Sequence, residues 1–224
     1  MLSLENITYR YKKGFTNVLN SVWADFEAGK FTAIVGPSGS GKSTLLSIMA
    51  GLDRPKWGRV MVFGEPLSAM DSDLYRREKI SMIFQAFHLF PLLTVMENVC
   101  YPMEMNNKPK AQAKEEAGQL LMSVGISKEK HNRYPATLSG GEQQRVAIAR
   151  SLSTGAKIIL ADEPTGNLDK KNSAAIVEIL RGLAHNEKYA VIVVTHDVEI
   201  AGVSDVVYRM EDGKLKRDSR GKGA

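Results

Sequence analysis

The chain has 224 residues, 43% of them hydrophobic and 25% charged, with a formal net charge of +5. That balance belongs to folded globular chains and excludes wholesale disorder. At this length, burial supplies a core without disulfide or metal staples. The single cysteine, Cys100, excludes an intrachain disulfide and a multi-cysteine zinc site, and it reads as a small buried thiol. The longest apolar runs, residues 158–161 and 190–194, are strand-length and far short of the ~18–20 needed to cross a bilayer. Residues 1–5 lack the basic start and apolar stretch of a secretory leader, so a soluble, cytosolic chain is expected. From residue 213 on, five basic residues face only Asp218, so this end carries +4 of the net charge and the body is near neutral. Such a tail is expected to be solvated and poorly ordered, and the global charge says little about nucleic acid.

In chain order, residues 2–8 and 22–28 read as strands with polar turns between them, a β-rich start. Residues 31–35 form a short apolar strand that runs into a Gly-rich loop, and residues 42–50 are a helix stopped by Gly51. Strands follow at 59–63 and 80–84. The stretch 94–152 turns mostly helical, and then come strand 158–161, helix 173–184 and strands 190–194 and 206–210. Strands alternating with helices predict a mainly parallel sheet wrapped by helices, with the helical middle as an insertion.

The loop after the strand at 31–35 reads Gly36, Pro37, Ser38, Gly39, Ser40, Gly41, Lys42, Ser43, Thr44 and opens a helix, the context that a phosphate-binding G-x-x-x-x-G-K-[ST] loop requires. Glycines let backbone N–H groups curl around phosphate oxygens, and the helix start adds its positive end. Lys42 is placed to meet the β- and γ-phosphates, and the Ser43 hydroxyl to complete a magnesium shell. The buried strand at 158–161 ends in Asp162 and Glu163. Parallel strands carry ligand sites at their C-terminal ends, so both acids are expected to face the loop. Asp162 suits an outer magnesium ligand, and Glu163 the base that orients and deprotonates a water. Alone, a strand ending in two acids is weak ground for function, and a solvated strand end is the better reading. The pairing with the phosphate loop favours function.

Ser139, Gly140 and Gly141 start a further helix, with Ser139 as its N-cap. The glycine pair bares backbone N–H groups there, a second anion site that suggests two copies sharing each nucleotide.

In order and spacing, residues 36–44, 138–145 and 158–163 resemble the nucleotide-binding subunit of an ATP-binding cassette (ABC) transporter, over nearly the whole chain. The resemblance implies an α/β fold. Its parts would be a P-loop NTPase, RecA-like core (1–85 and 155–216), an N-terminal antiparallel β subdomain and an inserted α-helical subdomain (about 86–154). These make one domain over 1–220, with a basic tail from 217 to 224. It implies MgATP as cofactor, with Ser43, Asp162 and Gln85 at the metal and Lys42, Glu163, Gln85 and His196 in catalysis. Tyr11 matches the aromatic that stacks on adenine, with Tyr9 as a rival. Gln85 matches the residue that senses magnesium and the attacking water, and His196 the one that contacts the γ-phosphate. Asn167, Leu168 and Asp169 match the loop that reaches across a dimer. His88, His131 and His185 match nothing and read as surface or helix histidines. The segment from Asp162 to Asp169, with Phe84 to Pro91, resembles the lipoprotein-release, macrolide-efflux, cell-division and antimicrobial-peptide-resistance branch, although Ser81 stands where that branch often has glycine.

The implied activity is ATP hydrolysis by a subunit that pairs with a second copy and drives a separate integral membrane permease from the cytoplasmic face of the membrane. The permease would dock near the apolar cluster Phe87, Leu89, Phe90, Leu92, Leu93 and Val95, some of which would also serve the core. A regulatory ATPase that controls a membrane signalling or cell-wall and division complex is the alternative. A cassette acting on nucleic acid or ribosomes fits less well, since the chain has one cassette and no sustained heptads, and no specific nucleic acid is expected.

Overall fold

The structure, a computed structural model, describes residues 1–12 and 15–218. Of the expected tail, residues 219–224 lie outside the described residues. The elements in chain order are β1 (Leu2–Tyr9), β2 (Leu19–Phe26), β3 (Phe31–Val35), α1 (Lys42–Met49), β4 (Trp57–Val62), β5 (Glu65–Pro66), α2 (Ser72–Glu78) and β6 (Ile80–Phe84). Then come α3 (Val95–Met105), α4 (Lys110–Ser123), α5 (Gly140–Leu152), β7 (Ile158–Asp162), α6 (Lys170–His185), β8 (Ala190–Thr195), α7 (Val198–Gly202), β9 (Val206–Glu211) and β10 (Lys214–Arg217).

Two sheets divide the strands. An antiparallel sheet has the order β2-β1-β4-β5, and a six-stranded sheet the order β10-β9-β3-β8-β7-β6, parallel but for its β10 edge. In β1 the buried set changes from Leu2 and Leu4 to Ile7 and Tyr9, where the register with β2 slips. Asn6 sits there at φ 57, a left-handed conformation that asparagine tolerates, so a bulge moves the apolar period from even to odd positions.

The strands of the large sheet are continuously apolar because both faces are covered. On one face, Ile158, Leu160, Ala190, Ile192 and Val194 pack with α1 and the antiparallel sheet. On the other, Ile159, Ala161, Val191 and Val193 pack with the inserted helices and α6. Alternate side chains of one strand thus serve two cores, as the two-residue period requires.

The expectations for the tail, for the start of β2 and for His131 are corrected, and others gain detail. Arg217 ends β10 instead of opening a disordered tail: Leu215 pairs with Met210 and packs into the core, and Arg209 Nε donates to Asp218 Oδ2 at 2.7 Å. β2 starts three residues before the expected strand, because Leu19 is already fully buried. His131 is buried, its Nε2 3.1 Å from the Ile126 carbonyl, so it is no surface histidine. His185 pairs with Asp205 at 2.9 Å. The apolar cluster after Gln85 splits: Val95 is fully buried and Leu89 packs against the core, whereas Phe90 is exposed and Leu92 is 87% exposed. Cys100 is buried, which pushes its thiol up to about 11. Among the described residues, no helix is long and apolar enough to cross a membrane.

Candidate functional site

The site lies at the C-terminal edge of the large sheet. Val35 pairs with Thr195, Asp162 with Val194 and Phe84 with Asp162. The loop after β3, the acids ending β7, Gln85 after β6 and His196 after β8 therefore leave the sheet at one level. A cavity of about 640 Å³ forms there, lined by Ser38, Gly39, Gly41, Lys42, Ser43, Thr44, Asp162, Glu163 and His196, with Val18 and Val194.

The phosphate loop is held by close approach. A Cβ on Gly36 would stand 2.1 Å from the Met210 carbonyl oxygen, so β9 forbids any side chain there. Gly41, at φ 106, turns the chain into α1 in a conformation that other residues rarely adopt. Lys42 Nζ donates to the carbonyls of Gly36 and Pro37, both at 2.8 Å, which folds the ammonium over the loop. Ser40 Oγ is buried and has no partner among the described residues.

The two acids differ in setting. Burial, and then the neighbouring Glu163, raise the Asp162 carboxyl above its ordinary value, while Lys42 and the Ser43 hydroxyl oppose this. Glu163 stands in the left-handed region at φ 46. Its Oε2 accepts from Thr195 Oγ1 at 3.1 Å, and its Oε1 lies 2.9 Å from His196 Nδ1. That hydrogen bond, with the carboxylate's charge, raises the His196 imidazole. Gln85 is exposed and clasps Asn167: Gln85 Nε2 donates to Asn167 Oδ1 at 3.2 Å, and Asn167 Nδ2 to the Gln85 carbonyl at 3.0 Å.

Tyr11 is 48% exposed, and its hydroxyl lies 2.9 Å from Thr44 Oγ1 beside the loop. Tyr9 is buried, donates to Asp53 Oδ1 at 3.1 Å and meets Tyr11 edge-on, so the open ring of the two rivals belongs to Tyr11.

Ser139, Gly140 and Gly141 do not line this cavity. Ser139 caps α5 in a capping box with Glu142, whose carboxyl is held down to about 2 by the Lys130 ammonium and the Ser139 N–H. Asp169 caps α6, accepting from Asn172 N at 2.9 Å and Asn172 Nδ2 at 2.6 Å. A second cleft of about 420 Å³ shares Glu163 and His196 and runs along Thr165, Gly166, Leu168 and Lys170.

Two residues of the site escaped sequence reasoning. Thr195 precedes His196 at a fully buried strand end, and only its hydroxyl type hinted at a polar task. Gln144, fully buried within α5, was hidden among the polar residues of a helix start.

The donor set suits magnesium, a hard cation that takes oxygen ligands and keeps waters and phosphates around it. The Ser43 hydroxyl and the Asp162 carboxylate stand together at the loop. Among the described residues, no group of three or more His, Cys, Asp or Glu side chains could hold a metal by itself.

Residues 19–166 match the family described as ABC transporter. Over 215 residues the chain is 39% identical to an uncharacterized ABC transporter ATP-binding protein, YclH, of Bacillus subtilis, covering 96% of this chain and 95% of that protein. Over 221 residues it is 43% identical to the uncharacterized ABC transporter ATP-binding protein MJ1508 of Methanocaldococcus jannaschii, covering 96% and 97%. Its fold matches the dimeric structure of MJ0796, a bacterial ABC transporter cassette, with a TM-score of 0.89, 38% identity and full coverage of both chains. A post-hydrolysis dimer of MJ0796 bound to ADP and Pi matches with a TM-score of 0.89 at 37% identity, again over all of both chains.

Proposed function

The chain belongs to the ABC transporter family as an ATP-binding, ATP-hydrolysing cassette, and we propose that it works as a dimer around two MgATP, coupled to a separate membrane permease. The observation that carries this reading is the convergence of Lys42, Ser43, Asp162, Glu163 and His196 on one cavity at the C-terminal edge of the sheet.

In this reading the loop from Gly36 to Thr44 wraps the phosphates, Lys42 leaves its carbonyl partners to meet the β- and γ-oxygens, and adenine stacks on Tyr11. Ser43, Asp162 and Gln85 would hold magnesium, which would supply positive charge to the site. Glu163 takes the proton of the attacking water, and Gln85 orients that water. His196 holds the γ-phosphate and, through Nδ1, the base itself. Ser139, Gly140 and Gly141 of a second copy cover the γ-phosphate, with Asp169 in the loop that crosses between copies. The dimeric MJ0796 structures support the pairing.

The permease would sit at a cleft of about 390 Å³ between the sheet and the inserted helices, lined by Leu52, Arg76, Met82, His88, Phe90 and Tyr101, with Arg150 at its floor. Exposed Phe90, Leu92 and Tyr101 beside it support an apolar partner, which would place the chain at the cytoplasmic face of a membrane. The export, lipoprotein-release or peptide-resistance type of transport belongs to the same proposal.

The test is phosphate release. Glu163→Gln keeps the side chain's size and removes the base, so the rate should fall by about 10²–10⁴. A parental rate in that variant would contradict the assignment.

A further inference from the structure

In the second turn of α5, Gln144 is fully buried. Its Nε2 donates to the Pro164 carbonyl at 2.8 Å and, at a long 3.5 Å, reaches the Phe84 carbonyl. Two carbonyls facing one amide fix its orientation, because a flipped amide would set oxygen against oxygen. Pro164 follows Glu163, and Phe84 precedes Gln85. One side chain therefore joins the backbones that carry both residues to the helix that starts at Gly140.

Glu163 needs such a restraint. Its left-handed backbone, at φ 46, is one that a non-glycine residue keeps only where its surroundings over-determine it. Backbone bonds fix the near side, from Glu163 N to the Val194 carbonyl at 2.9 Å and from Gly166 N to the Glu163 carbonyl at 3.1 Å. The amide of Gln144 fixes the peptide between them.

Gln144 also carries a cost. Its Oε1 is buried with no partner among the described residues. An unpaired buried acceptor opposes folding; a methionine of similar length would relieve that penalty but would take the donor away from the Pro164 carbonyl. The two effects offset one another in stability, and what the amide alone secures is position.

We propose that Gln144 is a positioning residue for ATP hydrolysis: through Pro164 and Phe84 it sets the separation of the Glu163 carboxylate and the Gln85 amide, without touching nucleotide. This rests on the roles given above to Glu163 and Gln85. Its effect belongs to the reaction step, since the cavity lining from Ser38 to Thr44 is untouched by the change.

The experiment measures steady-state phosphate release and thermal melting of the full chain for the parent, Gln144→Met, Gln144→Asn and Glu163→Gln. In both Gln144 variants kcat should fall about 10- to 100-fold, the scale of a misplacement of about 1 Å, while KM for ATP stays within about twofold. The methionine variant should melt within a few degrees of the parent, since the lost donor and the relieved acceptor are of similar size. Stability and rate thus respond differently, which a packing role would not produce. Parental kcat in either variant overturns the proposal. So does a methionine variant that fails to fold, or a loss of rate that tracks a raised KM. A parental rate in Glu163→Gln is a separate result, which removes the underlying reading of the base.

Discussion

Glu163 holds two partners, the Thr195 hydroxyl and the His196 imidazole, and only the second titrates near neutrality. The carboxylate raises His196 above its ordinary value of about 6.5, so the folded state binds that proton more tightly than the unfolded chain does. The resulting stability is fully present below the unfolded value and is lost as pH rises through the folded one. His196 is largely exposed, which limits such a pair to about 0.2–1 kcal/mol, or roughly 3 °C or less for a chain of this size. The melting temperature of the parent minus that of His196→Ala should therefore shrink as pH is raised from about 6 to 8. A difference that stays constant, or grows, would mean that Glu163 does not charge the imidazole. At this scale the sequence was readable where a motif fixes a residue's neighbours. Lys42, Asp162, Glu163 and His196 line one cavity, as their motifs led one to expect. Thr195 and Gln144 escaped because a hydroxyl or amide inside a strand or helix shows its task only when its partner is known.

Among the elements, α5 bears on two tasks at once. Its N-cap Ser139 stabilises the helix through the capping box with Glu142, and in the proposed dimer the same residue faces the partner's nucleotide. Two substitutions separate these tasks. Ser139→Ala removes the cap and should cost about 0.5–2 kcal/mol, read as a lowered melting temperature. Ser139→Asp restores a cap, so it should melt like the parent, yet it sets a negative charge against a γ-phosphate and should lose ATP-driven pairing. If both variants melt normally and both pair, Ser139 has neither role. Most elements were legible from period and punctuation, and β3 and β6 match residue for residue. The misses share one cause, shortness. α2 has seven residues with only Tyr75 buried, and β5 has two residues. In β10 only Leu215 turns inward, so its basic sequence hid a strand that depends on its pairing with β9.

On the scale of the whole molecule, the chain builds one nucleotide cradle and one helix start that does not line it. The strand ends gather the cradle. The insertion sets Ser139 elsewhere, and in the proposed dimer a second copy completes the site. A surplus helix start was visible in the sequence, and so was an apolar cluster after Gln85 shared between core and surface; which of its members face water was not, because hydrophobicity alone does not say. In the proposed dimer, ATP between two copies would attract both faces, and ADP lacks the phosphate that the second face would hold. Converting a 1:99 equilibrium into 99:1 takes about 5.5 kcal/mol of differential binding, a load that two nucleotides share. The most direct test is the mass of Glu163→Gln by light scattering, since this variant should bind ATP without consuming it. The account predicts a stable dimer at saturating MgATP, monomer with ADP, and no dimer once Gly141→Asp is added. A Glu163→Gln protein that binds ATP and stays monomeric, or a dimer that survives Gly141→Asp, would contradict it.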